Sequence, residues 1–139
     1  MLFVGAMGAD TGAPFMAHDG GGKAYVQSLG LALHEEWKPR GVYVTVLPPG
    51  PTDTAVLAKF GFDFKSTPMK PLQVGQVVTE GLNALSVNQP IIVPGRMNRM
   101  MRSVLPSSVT RPMLAKMFEK MHPGPTPSPQ PKPGVTPQK

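Results

Sequence analysis

The run Val42-Tyr43-Val44-Thr45-Val46-Leu47 is β-branched or aromatic at nearly every position and stops at Pro48-Pro49-Gly50-Pro51. Side chains of this kind favour a pleated, buried strand. Proline cannot donate into a β-ladder, so the strand ends at Pro48. Residues 23–37 before it carry a helical period, with Val26, Leu29, Leu33 and Trp37 on one stripe and Gly30 allowing close approach to a neighbour. The helix is stopped by Lys38-Pro39-Arg40-Gly41. Leu2-Phe3-Val4-Gly5-Ala6, short and wholly apolar, reads as another buried strand.

The alternation continues downstream. Leu72 to Leu85 places Val74, Val77, Val78, Leu82 and Leu85 on one helical face. Pro90-Ile91-Ile92-Val93-Pro94-Gly95 is a short strand between breakers. Strand, helix, strand, helix, strand is the order of a parallel sheet with right-handed crossovers, an α/β architecture. Residues 8–22 read as a loop, because each glycine of Gly20-Gly21-Gly22 costs roughly 1 kcal/mol against alanine inside a helix. Residues 51–71 read as irregular, with a short helix around Ala55–Phe60.

Two amphipathic helices are expected after the last strand. Met97, Met100, Met101, Val104 and Leu105 share one face, opposite Arg96, Arg99 and Arg102. Thr110 is placed to cap the second helix, with Pro112 in its first turn and Met113, Leu114, Met117, Phe118 and Met121 on its apolar face. The final 18 residues, His122 to Lys139, hold seven prolines and almost nothing apolar, the composition of a disordered, extended tail. The chain thus divides into 1–95, an α/β unit; 96–121, a helical extension; and 122–139, the tail.

Composition excludes several chemistries. With no cysteine, disulfides, thiolate metal sites and cysteine catalysis are ruled out, and a reducing, cytoplasmic setting fits. His18, His34 and His122 lack metal-ligand spacing. No apolar run is long enough to span a bilayer. The net charge of +6 lies at the C-terminal end: residues 1–93 carry six basic and seven acidic side chains, residues 94–139 eight and one. The tail has no aromatic residue to stack on bases, so a solvated basic face is expected rather than a nucleic-acid site. The methionine stripes of 96–121 read as core or partner-facing surface. Flanked by arginines, they also suit contact with a membrane surface.

Lys23 at the head of its helix, and Pro49-Gly50-Pro51-Thr52-Asp53-Thr54 after the next strand, together resemble the C-terminal half of a short-chain dehydrogenase/reductase. In that family a Tyr-x-x-x-Lys pair opens a long helix and a Pro-Gly-x-x-x-Thr loop closes over the nicotinamide. The stretch Asn88 to Asn98 is similar to the last strand, and the amphipathic helical end that follows it, of a bacterial subgroup. The resemblance implies a partial Rossmann-like fold, a three-stranded parallel half-sheet with crossover helices. It also implies NAD or NADP as cofactor, held by Lys23, Pro49, Gly50, Pro51, Thr52 and Thr54. Lys23 stands at the family lysine, Asp19 at the catalytic tyrosine, Ala6 at the substrate-orienting serine and Gly22 at the small hydroxyl residue before the lysine. The half that carries the Gly-rich pyrophosphate turn has no counterpart among these residues.

Four functions follow as expectations. The first is a truncated, catalytically impaired relative of NAD(P)-dependent carbonyl/alcohol oxidoreductases. The second is a non-catalytic module that pairs with a full-length relative or with itself through the 23–37 helix. The third is an enzyme assembled in trans, and the fourth a membrane-surface module using 96–121. The resemblance places substrate choice in the loop at about residues 55–71.

Overall fold

The computed structural model describes residues 1–55 and 70–119. The tail from His122, Met121 and most of the 55–71 loop, including residues 56–60 of its expected helix, lie outside the described residues.

Two short strands, β1 (Leu2–Val4) and β2 (Thr45–Leu47), pair in parallel with Phe3 opposite Val46. Strand β2 is central. On its other side the Val46 N–H donates to the Pro90 carbonyl and the Ile92 N–H donates to the Val46 carbonyl, both at 2.9 Å. Residues 90–92 therefore lie parallel to β2 but form a single bridge, Val46 to Ile91, rather than the full third strand expected. Pro90 and Pro94 bracket the segment and remove two of its donors, which limits the ladder. The sheet is thus smaller than a three-stranded one, although the order, β1 then β2 then Ile91, is that of a parallel half-sheet.

Val44 through Pro48 are all buried, as expected of a strand covered on both faces. Successive strand residues point to opposite faces, and the helices divide accordingly. Helix α1 (Ala17–Trp37) brings Gly30 against Val46 and Phe3; helix α2 (Val74–Ser86) brings Gly81 against Leu47 and Leu2. The result is a sheet between two helices, each seated through a glycine. A Cβ on Gly30 would lie 2.6 Å from Val46 Cγ2, and one on Gly81 2.9 Å from Leu47 Cδ2. The close approach expected at Gly30 is present.

Helix α1 begins six residues before Lys23, running through the three glycines read as loop. Gly20 is buried, a Cβ added to it would lie 3.2 Å from Ala13 Cβ, and its N–H donates to the Met16 carbonyl. Packing of the first turn on the preceding segment outweighs the weak propensity of glycine. The residues fully buried on α1 are Gly20, Gln27, Gly30 and His34, whereas Val26, Leu29, Leu33 and Trp37 are half-buried. Helix α2 shows the same displacement: Val77, Gly81 and Ala84 are buried, while Val74, Val78 and Leu82 are exposed.

Helices α3 (Arg96–Val104) and α4 (Ser107–Glu119) complete the described chain. Met97, Met100 and Val104 are exposed rather than buried on α3. Helix α4 starts earlier than expected, at Ser107, because the Pro106 carbonyl accepts from Val109 and Thr110. Pro112 therefore sits inside the helix instead of its first turn. The 3-10 turn Ala9–Thr11 is the element on which α4 packs.

Candidate functional site

The two loops that leave the sheet at the C-terminal ends of β1 and β2 are tied together. Beyond β1 the Gly5 N–H donates to the Leu47 carbonyl and the Met7 N–H to the Pro49 carbonyl, each at 2.9 Å. Between them the Ala6 N–H donates to Gln27 Oε1 at 2.9 Å, so a side chain of α1 fills the step that no backbone acceptor serves. Gln27 is buried, and a Cβ on Gly5 would collide with it at 2.4 Å. Glycine at position 5 is therefore a steric requirement of the Gln27 bond.

Lys23 precedes Gln27 by one turn on the same helical face and is half-buried. Asp19, a further turn back, is exposed. The two do not form an ion pair; those between a permanently charged base and a carboxylate among the described residues are Arg99–Glu80 and Arg102–Asp10. His34, at the other end of the same stripe, is buried with Nδ1 2.7 Å from the Val44 carbonyl. The carbonyl can only accept, so Nδ1 carries the proton. Gln27 and His34 flank Gly30 at helical spacing and interrupt the apolar period, so the apolar stripe by itself does not point to these two polar residues.

The Pro49–Thr54 loop is held from three directions. Gly50 backs onto Asn98, where a Cβ would meet Nδ2 at 2.8 Å, and Asn98 is itself buried with Nδ2 donating to the Pro94 carbonyl at 2.9 Å. The Thr52 hydroxyl donates to the Gly50 carbonyl at 3.0 Å. Leu72 then clamps the far end, donating its N–H to the Pro51 carbonyl and accepting from the Asp53 N–H, both at 2.9 Å. Asp53 takes a further bond from Gln73 Nε2 at 3.3 Å. A loop fixed this way before any ligand arrives presents its backbone at low entropic cost.

A second polar cluster anchors the segment that carries Asn98. Glu80 on α2 accepts from the Gly95 N–H through both carboxylate oxygens and from Arg99 Nη1 at 2.6 Å. Arg99 also donates to the Val93 carbonyl at 3.0 Å. Partial burial by itself raises the pKa of Glu80, but the bonds from Gln76, Arg99 and Gly95, with the Arg99 charge, outweigh it and hold the carboxyl below its ordinary range. Gly95 has a φ of 82°, a left-handed conformation that glycine adopts freely, and Leu72 packs where its Cβ would be. Arg99 was expected on a solvated face; it is instead the link between α3 and α2.

The structure thus brings Ala6, Met7, Pro49, Gly50, Thr52 and Asn98 into one assembly at the ends of parallel strands. In open α/β sheets that edge is where ligands bind. No polar bond joins Lys23 or Asp19 to the loop among the described residues. Asn98, at the end of the stretch that resembles the family's last strand, meets Gly50, a contact that local periodicity does not signal.

The architecture is that of the short-chain dehydrogenases, an α/β Rossmann-like fold in partial form. A short-chain dehydrogenase from Sphingobium yanoikuyae in complex with NADPH superposes with a TM-score of 0.57 at 23% identity, covering 81% of this chain and 43% of that one. One from Burkholderia cenocepacia in complex with NADP gives 0.60 at 24% identity, covering 84% and 47%. A bulky-bulky ketone specific alcohol dehydrogenase from Comamonas testosteroni gives 0.52 at 23%, covering 73% and 39%. The chain therefore spans less than half the length of each of these structures. No protein-family profile and no curated protein matches the sequence.

Proposed function

We propose that residues 1–139 form the nicotinamide-facing part of a short-chain dehydrogenase/reductase-type fold that lacks its proton-transfer residues and is catalytically impaired. The observation that carries this reading is the Met7 N–H to Pro49 carbonyl bond, which sets the two strand-end loops side by side above the sheet. The similar structures in complex with NADPH and NADP support a nicotinamide cofactor. Its carboxamide would meet the pre-fixed backbone of Pro49, Gly50, Pro51, Thr52 and Thr54, and the Lys23 ammonium would hold ribose hydroxyls. The cofactor supplies hydride for carbonyl reduction.

The impairment follows from side-chain chemistry. Free carboxylic acids ionise near about pH 4 and phenols near about pH 10. At neutral pH a tyrosine keeps the proton a carbonyl oxygen needs, and an aspartate does not. Ala6 has no hydroxyl to orient a carbonyl, and its N–H is already taken by Gln27. The test is a melting curve with and without millimolar NADH or NADPH, alongside reduction of a panel of ketones and aldehydes. A nucleotide-dependent rise in melting temperature without turnover is the expected result. Turnover by the unaltered chain, lost on Lys23→Ala, sinks the claim of impairment; no shift with either nucleotide sinks the cofactor loop.

A second reading, a non-catalytic module that pairs with a longer relative or with itself, is favoured by the outer face of α1, where Tyr25 is 68% exposed. Tyr25→Asp lowering the mass measured by light scattering supports self-pairing, and a monomeric mass for the unaltered chain rules self-pairing out.

A further inference from the structure

Helix α3 is mounted with its polar face inward. Asn98 is buried and donates to the Pro94 carbonyl, while Arg99 reaches both Glu80 and the Val93 carbonyl. Those bonds fix the helix about its own axis. At about 3.6 residues per turn, Met97, Met100 and Val104 then fall together on the side away from Asn98 and Arg99. They are 57%, 55% and 70% exposed. A helix on a globular surface ordinarily turns such a stripe to the core. This one cannot roll over without breaking the bonds of Asn98 and Arg99. None of the three exposed residues belongs to the strand-end site.

The surroundings of the stripe are basic. From Pro94 to Phe118 the chain carries five basic residues and no acidic one. Two of the five are neutralised, Arg99 by Glu80 and Arg102 by Asp10. Arg96, which flanks Met100 on the helix surface, is exposed and makes no ion pair among the described residues. Lys116 on α4 is exposed too. The stripe gives a protein partner little to set its register by, because Ser103, the hydroxyl beside it, already donates to the Arg99 carbonyl. A fluid acyl layer needs no such register, and unbranched methionines conform to it. A second copy of the chain is a poorer occupant. Pairing stripe to stripe brings the Arg96 charges together, and α3 has no carboxylate to set between them.

We propose that the Met97, Met100 and Val104 face of α3 docks on an anionic lipid surface. The three apolar side chains enter the boundary between headgroups and acyl chains, and Arg96 meets lipid phosphates. The basic excess of residues 94–118 adds longer-range attraction to the surface. The helix lies in the interface plane, since no described helix is long and apolar enough to cross a membrane. The inference holds whether or not the Pro49–Thr54 loop takes a nucleotide, and its test uses none.

The full chain is sedimented with vesicles of phosphatidylcholine alone, or of phosphatidylcholine and phosphatidylglycerol in equal parts. Binding to the mixed vesicles is expected to be at least about tenfold tighter than to phosphatidylcholine alone, and to weaken as salt is raised. Met100→Glu should weaken it by at least about tenfold and Arg96→Gln by about fivefold. Met100→Trp keeps the face apolar, and its fluorescence should shift to the blue on the mixed vesicles alone. Val78→Glu makes the same change of charge at an exposed position of α2, on the side opposite Glu80, and should leave binding intact. No binding to the mixed vesicles, equal binding to both kinds, or equal losses with Met100→Glu and Val78→Glu overturns the proposal. A mass above the monomer in lipid-free solution that Met100→Glu returns to the monomer assigns the face to a second copy, and overturns it as well.

Discussion

Gln27 Oε1 accepts the backbone N–H of Ala6 at 2.9 Å, and through that bond helix α1 fixes the loop that leaves β1. The acceptor is a side chain because Ala6 lies between two residues, Gly5 and Met7, whose N–H groups face the β2 segment. Gln27→Leu keeps much of the volume and removes the acceptor. An orphaned buried N–H costs about 1–3 kcal/mol, and urea unfolding should show a loss of that size. Gly5→Ala should cost at least as much, because its methyl would enter the space Gln27 occupies.

The glycines of α1 divide into two kinds. Nothing lies within 4 Å of a Cβ placed on Gly21 or Gly22. Alanine at either is expected to stabilise by about 0.5–1 kcal/mol through helix propensity. Gly30→Ala meets Val46 and Phe3 and is expected to destabilise by about 1–3 kcal/mol, the usual cost of overpacking. Opposite shifts of melting temperature for Gly22→Ala and Gly30→Ala check the pair; a rise for both would mean that α1 does not seat on the sheet through Gly30.

Glu80 makes the fold acid-sensitive in a defined direction. Its carboxyl is held below the reference value of 4.5, so the folded state favours the charged form. The contribution is complete above 4.5 and is lost as the pH falls through the lower folded-state value. Glu80→Gln should reduce stability by about 1 kcal/mol near neutral pH, modest because Arg99 remains partly wet. It should also flatten the acid limb of a stability–pH profile. An acid limb of unchanged slope counts against the network.

Gly50 and Asn98 couple the strand-end loop to α3. Gly50→Ala forces Asn98 aside, and the Asn98 bond to the Pro94 carbonyl is lost with it. Stability should fall by about 1–3 kcal/mol. If the proposed cofactor contact is right, any nucleotide-dependent rise in melting temperature should vanish too. Asn98→Ala gives the complementary result: the clash at position 50 is relieved, so the double variant should be less impaired than the sum of the singles. Strict additivity would show that the two residues do not meet.

The alternation of strands and helices was legible because Val42–Leu47 and Pro48–Pro51 are extreme in propensity, although only Thr45–Leu47 of the first run pairs as strand, and Val42 and Tyr43 are exposed. The seat of α1 at Gly30 was legible too, since a glycine inside an apolar stripe has few other uses. The start of α1 was not: Gly20-Gly21-Gly22 argue against a helix locally, and Gly20 is helical because it packs on Ala13. The buried faces of α1 and α2 were displaced from the apolar stripes for a related reason. A helix that approaches a sheet closely does so on its small residues, Gly30 and Gly81, and its larger ones spread to the flanks.

The sequence alone determined the class of fold, the parallel order of its strands, the stop at Pro48 and the loop that follows. It also determined which side chains stand at positions 6, 19 and 23. Tertiary structure decided how those positions are used. Whether the Ala6 N–H is free, whether Arg99 faces water or Glu80, and what Gly50 rests against all depend on contacts between residues nineteen or more positions apart. Local periodicity carries no information about such contacts, because they are set by which faces the sheet brings together.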